Sequence, residues 1–194
     1  MVKAFTAEEH LGSVRIEGKV TQGRSVIVLD LLVNGDGEGG GVFVQQGNVI
    51  KIERVGTLLY LNAPKRFWST HATADQTATY GGKWIELSAL DSRFASFDQF
   101  LDAADLVDSL FRGYTAPLTV SKPTTFGHHK VVVVKDTATS HGTRSTGLVY
   151  IGTASPHDVY KIVDDAPDQQ STLVFNNYGK AVPLTVPAEP INAS

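Results

Sequence analysis

Four stretches of this 194-residue chain carry residue types that could hold a metal, a phosphate or a proton: His128-His129, Asn34-Gly35-Asp36-Gly37-Glu38, Gly39-Gly40-Gly41, and the series Asp98, Asp102, Asp105, Asp108. Two imidazoles could ligate one ion, but neighbours on a strand point to opposite faces, so His128 and His129 would need a bulge to converge. The segment 34–38 has the oxygen density of a calcium loop, yet no carboxylate stands at the closing position such a loop requires, and a hairpin turn is expected. The triple glycine opens a strand instead of a helix and lacks the lysine of a phosphate loop, so it should turn or bulge the chain and bend the sheet. His71, His141 and His157 have no second ligand at suitable spacing, and the aspartates read as a solvated helix face. Nucleophile elbow, Walker loop, dinucleotide fingerprint and His-Glu-x-x-His pair are all missing, and the chain contains no cysteine. No catalytic residue, metal site or cofactor is expected, and the chain reads as non-enzymatic.

The formal net charge is −3, with Lys and Arg spread along the chain. That argues against nucleic acid and anionic membrane surfaces as partners. No apolar run approaches the roughly 18 residues needed to span a bilayer, and Met1 to His10 lacks the apolar core of a signal peptide. A chain trimmed of its export signal would look the same. At this length, with 42% hydrophobic residues, one domain over 1–194 is expected, with 187–194 as a frayed tail and a monomer as the default state.

The elements that could position a site are mostly strands. Val14, Ile16 and Val20 alternate with Arg15, Glu17 and Lys19, which marks a half-exposed strand. From Ser25 to Val33 both faces are apolar, so both are expected to be covered. A glycine-dense turn over 34–41 leads to strands at 42–45, 49–54 and 58–62, making the first half an antiparallel meander. An irregular region from Pro64 precedes the strand 83–87, and strands return at 128–136, 144–152, 158–163, 171–175 and 182–186. Between them lies one helical pattern: Phe97, Phe100, Leu101, Ala104, Val107, Leu110, Phe111 and Tyr114 form a stripe, Ser96 with Gln99 forms a capping box, and Gly113 suits a left-handed exit. Nine or ten strands with one dominant helix imply an α+β fold in which a curved sheet wraps around the helix as a half-barrel with an apolar inside. The aromatics Phe67, Trp68, Trp84, Phe94, Phe97, Phe100 and Phe111 exceed what a short helix-to-sheet contact needs, and a helical lid over a ligand cavity would account for them.

Ser13-Val14-Arg15-Ile16-Glu17-Gly18, Leu59-Tyr60-Leu61, Gly82-Lys83-Trp84-Ile85 and Thr172-Leu173-Val174-Phe175-Asn176-Asn177-Tyr178-Gly179-Lys180 fall in an order that resembles the actinobacterial LppX/LprG lipoproteins, which share the fold of the LolA lipoprotein carrier. The resemblance runs from Ser13 to Pro187 and rests on strand and turn signatures. It implies a half-open antiparallel β-barrel with helices across its concave face, and a hydrophobic cavity that holds the acyl chains of a lipid or lipidated molecule at the cell envelope. Localisation would be extracytoplasmic, with membrane association only through an export and lipidation signal that this sequence does not contain. The expected cavity lining is Val28, Leu32, Phe43, Tyr60, Phe67, Trp68, Trp84, Phe97, Phe100, Leu101, Val107 and Phe111. The alternative is a structural or signalling envelope module of the same fold with a filled core, binding a protein through a sheet edge or the Asp-rich helix face.

Overall fold

The computed structural model describes residues 12–94, 100–103, 106, 118–140, 143–166 and 170–193. Its strands are β1 (Ser13–Gln22), β2 (Ser25–Asn34), β3 (Gly39–Gln45), β4 (Asn48–Val55), β5 (Leu58–Asn62), β6 (Trp84–Ser88), β7 (Thr119–Val120), β8 (Thr124–Phe126), β9 (His129–Ser140), β10 (Thr143–Gly152), β11 (Val159–Asp164), β12 (Ser171–Asn176) and β13 (Ile191–Asn192). All belong to one open sheet in the order β13-β6-β5-β4-β3-β2-β1-β12-β11-β10-β9-β7, with β8 also on β9. The expected meander from β1 to β6 is present, each strand antiparallel to the next. The second half closes onto the first where β12 pairs with β1.

Alternation decides which side chains are buried. Phe175, Ile16, Leu31, Gly41, Ile52, Leu61 and Ile85 stand side by side across β12, β1, β2, β3, β4, β5 and β6. A second row runs Val134, Val149, Ile162, Leu173, Gly18, Leu29, Phe43, Ile50 from β9 to β4. Their side chains, with those of Phe67, Trp68, Phe94, Phe100, Leu101, Ala103 and Leu106, make one continuous apolar core. We call this the inner face. Gly18 lets the β12 backbone come close: a Cβ there, at φ +153°, would lie 2.0 Å from the Thr172 carbonyl oxygen. The triple glycine is likewise strand, extending β3 back to Gly39 instead of ending a turn at Gly41.

Three local expectations are corrected. The region after Pro64 holds two short helices, α1 (Lys65–Trp68) and α2 (Ala74–Tyr80), the latter capped by Thr73 and Gln76 in a reciprocal capping box. Residues 182–186 are not a strand, because both edges of β12 are already occupied by β1 and β11. The tail is not frayed throughout: Ile191–Asn192 runs parallel to β6, the Asn192 amide donates to Glu86 Oε1 at 3.0 Å, and the Ala193 N–H donates to the Glu86 carbonyl at 3.0 Å. To reach β6 from β12 the chain must pass β1 to β5, about 30 Å of sheet, which the extended segment 177–190 spans comfortably at roughly 3.3 Å per residue.

Candidate functional site

The inner face is the candidate site, and β3 to β6 with α1 build one end of it. Phe43 is fully buried at the centre of β3, and the Phe100 ring packs on it with centroids 5.4 Å apart. Leu101 beside it is also fully buried. Ala103 and Leu106 have helical backbone, and the Leu106 N–H donates to the Asp102 carbonyl at 2.9 Å. On α1, Phe67 and Trp68 point into the same core, where Trp68 meets Tyr80 at 5.2 Å and Phe94 at 5.9 Å, both edge-on. Trp68 Nε1 is buried there without a hydrogen-bond partner.

Of the expected lining residues, Phe43, Phe67, Trp68, Phe100 and Leu101 are brought together on this face. Phe97, Val107 and Phe111, along with Gly113 and the cap at Ser96, lie outside the described residues. Four others belong to the opposite, outer face. Val28 sits there at 46% exposure, between Lys19 and Val44 in the ladder, and Leu32 is half-buried four residues further on. The expectation that β2 is covered on both sides therefore fails at Val26 and Val28, where apolar side chains simply face solvent. Trp84 pairs with Asn62 and is half-buried. Tyr60 is buried but stands between Glu53 and Glu86 in its ladder row, and burial with the Glu86 charge pushes its phenol up.

Sequence reasoning missed the polar end of the inner face. Asp136, Gly147, Asp164, Ser171, Val20, Ile27, Gln45 and Asn48 form the next row, at the rim where the hairpins turn. Asp136 is only 4% exposed, and its Oδ1 finds no hydrogen-bond partner. Burial pushes the Asp164 carboxyl up, the Ala166 amide pulls it back, and Asp165 and Asp136 push it up again. The signal in the sequence was an aspartate two residues past the apolar run Val131–Val134, which read as an ordinary strand end.

The histidines do not converge. His128 is exposed, His129 stacks on Tyr160 at 4.0 Å, and His71 stacks on Phe67 at 4.2 Å. Among the described residues no group of three or more His, Cys, Asp or Glu is placed to hold a metal ion, and no helix is long and apolar enough to cross a membrane.

No family model matches the chain, and none of the curated proteins does. Among the solved structures that match, two do so over nearly their whole length. LprF from Mycobacterium bovis is 16% identical, with a TM-score of 0.55 over 95% of this chain and 93% of that one. The Mycobacterium tuberculosis lipoprotein LppX is 12% identical, with a TM-score of 0.57 over 95% of this chain and 96% of that one. The mostly-strand, curved, open sheet is thus the fold of the LppX/LprG-type lipoproteins, as the short signatures around Ser13, Leu59, Trp84 and Thr172 implied.

Proposed function

We propose that this protein is a non-enzymatic binder or carrier of a lipid or lipidated molecule at the cell envelope, with the acyl chains lying along the inner face of a half-open barrel. The observation that supports this reading is the apolar inner face, unbroken from Val149 on β10 to Ile85 on β6, with Phe100 and Leu101 set against it from outside the sheet. Its fold neighbours include a lipoprotein, which makes an extracytoplasmic setting the natural one for this chain. In the carrier reading, the segment that bears Phe100, Leu101 and Leu106 acts as the wall or lid of the acyl chamber.

A filled-core module that binds a protein partner is the competing reading. The exposed valines Val26, Val28 and Val49 on the outer face favour it, because they offer apolar surface away from any acyl chamber. The Leu101→Trp variant separates the two. A solid core would be overpacked at a cost of roughly 1 to 3 kcal/mol, whereas a chamber would accept the indole and lose a bound fluorescent acyl probe. Strong destabilisation with unchanged probe binding would overturn the carrier reading.

A further inference from the structure

Asp136 and Asp164 are carboxylates on the inner face of the second half of the sheet, and they flank Gly147 in one ladder row. Their strands, β9 and β11, lie on either side of β10, so the two α-carbons are about 10 Å apart. Gly147 puts no side chain between them. The two carboxylates thus stand on either side of a glycine, adjoining the apolar rows of Val134, Val149 and Ile162. Ser171 continues the polar row next to Asp164.

A self-contained protein core has little use for this arrangement. Asp136 is 4% exposed and its Oδ1 lacks a hydrogen-bond partner, a state that costs free energy unless a donor fills the place. Asp164 is partly satisfied by the Ala166 N–H, at 2.8 Å from Oδ1. Among the described residues neither carboxylate has a Lys or Arg partner, in contrast to Asp30, which Arg15 grips with two hydrogen bonds of 2.8 Å on the outer face. The β9–β10 hairpin runs on past this row, to Ser140 and from Thr143.

Resting on the acyl-binding reading above, we infer that Asp136 and Asp164 together receive the polar head of the bound lipid, and that the head is a hydrogen-bond donor, an ammonium or a polyol, and not a phosphate or carboxylate. The buried Asp136 Oδ1 calls for a donor, and an ionised carboxylate there repels an anion. Acyl chains leaving such a head would run directly onto Val149, Ile162 and Leu173, the next row of the inner face.

The test is competition on the full chain. Diphenylhexatriene, an uncharged hydrocarbon probe, is bound first, and is then displaced by dodecylammonium, dodecyl glucoside or dodecanoate below their micelle-forming concentrations. In the wild type, the ammonium or the glucoside should displace the probe at lower concentration than dodecanoate. In Asp136→Asn/Asp164→Asn that advantage should shrink about tenfold, with diphenylhexatriene binding kept. Loss for the ammonium alone identifies a cationic head, and loss for both identifies a polyol. Thermal melts check that the double variant folds, and Asp164→Asn alone is read the same way if it does not. An unchanged ligand order in the variant, or dodecanoate as the best competitor in the wild type, overturns the inference. A wild type that fails to bind diphenylhexatriene overturns the acyl-binding reading itself, before any head group is compared.

Discussion

The Phe100 ring rests against the ring of fully buried Phe43, centroids 5.4 Å apart and planes tilted by 56°, and this contact sets residues 100–103 against the sheet. Removing one ring leaves a hole that the rigid sheet cannot close. Phe100→Ala should therefore destabilise by about 3 kcal/mol, read as a lower midpoint in urea with unchanged slope. A loss under about 1 kcal/mol would mean that the segment is held elsewhere.

Gly18 is required by the closeness of β12 and not by a turn. An added Cβ would meet the Thr172 carbonyl oxygen at 2.0 Å and the Leu173 α-carbon at 3.0 Å. Gly18→Ala should cost about 2 kcal/mol or more, because backbone must shift to admit it. Gly47, at φ +75° with nothing within 4 Å, is the control, and Gly47→Ala should cost only about 1 kcal/mol. Equal effects would show that strand approach is not what Gly18 serves.

Asp164 gives a pH dependence of definite sign. Its carboxyl is raised in the folded state, chiefly by burial, so the folded protein holds that proton to higher pH than the unfolded chain does. Stability from this group is present at low pH and falls as pH rises above the ordinary carboxylate value of about 4 toward the folded one. Asp164→Asn removes the dependence, so the variant should gain on the wild type as pH rises above about 4 in parallel unfolding curves. Carboxylates pulled down in the fold, such as Asp30 beside Arg15, act in the opposite sense but are common to both proteins and cancel. A variant that loses ground as pH rises would contradict the placement of Asp164.

The C-terminal strand is an anchor. Ending the chain after Glu189 removes the Ile191 and Asn192 pairing with β6 and the Asn192–Glu86 hydrogen bond, and should cost about 1 to 2 kcal/mol. Amide exchange along β6 should quicken in step. A neutral truncation would show that β13 contributes nothing.

What was legible in the sequence followed from solvent contrast. Val14, Ile16 and Val20 against Arg15, Glu17 and Lys19 gave β1 its inner and outer faces directly, because one face is wet and charged. The same logic failed for β2, where apolar Val26 and Val28 face water, since apolar residues need not be covered. Helix α2 buries none of its residues, so it had no apolar stripe to display, and only the Thr73-x-x-Gln76 cap announced it. Pairing between β13 and β6 joins residues 106 apart, and nothing local encodes it. On the site, Phe67, Trp68 and Phe100 were found as part of an aromatic excess, Leu101 through its helical stripe, and Phe43 only among the expected lining. Asp136 and Asp164 became visible only once β9, β10 and β11 were laid in register.

Native mass spectrometry of the protein purified without detergent tests the lipid-binding claim most directly, because an occupied inner face carries its ligand into the measurement. The account predicts added mass on the folded chain that is released as lipid on denaturation and restored by incubation with an acyl-chain ligand. A bare chain mass before and after that incubation, from protein that melts cooperatively, would contradict it.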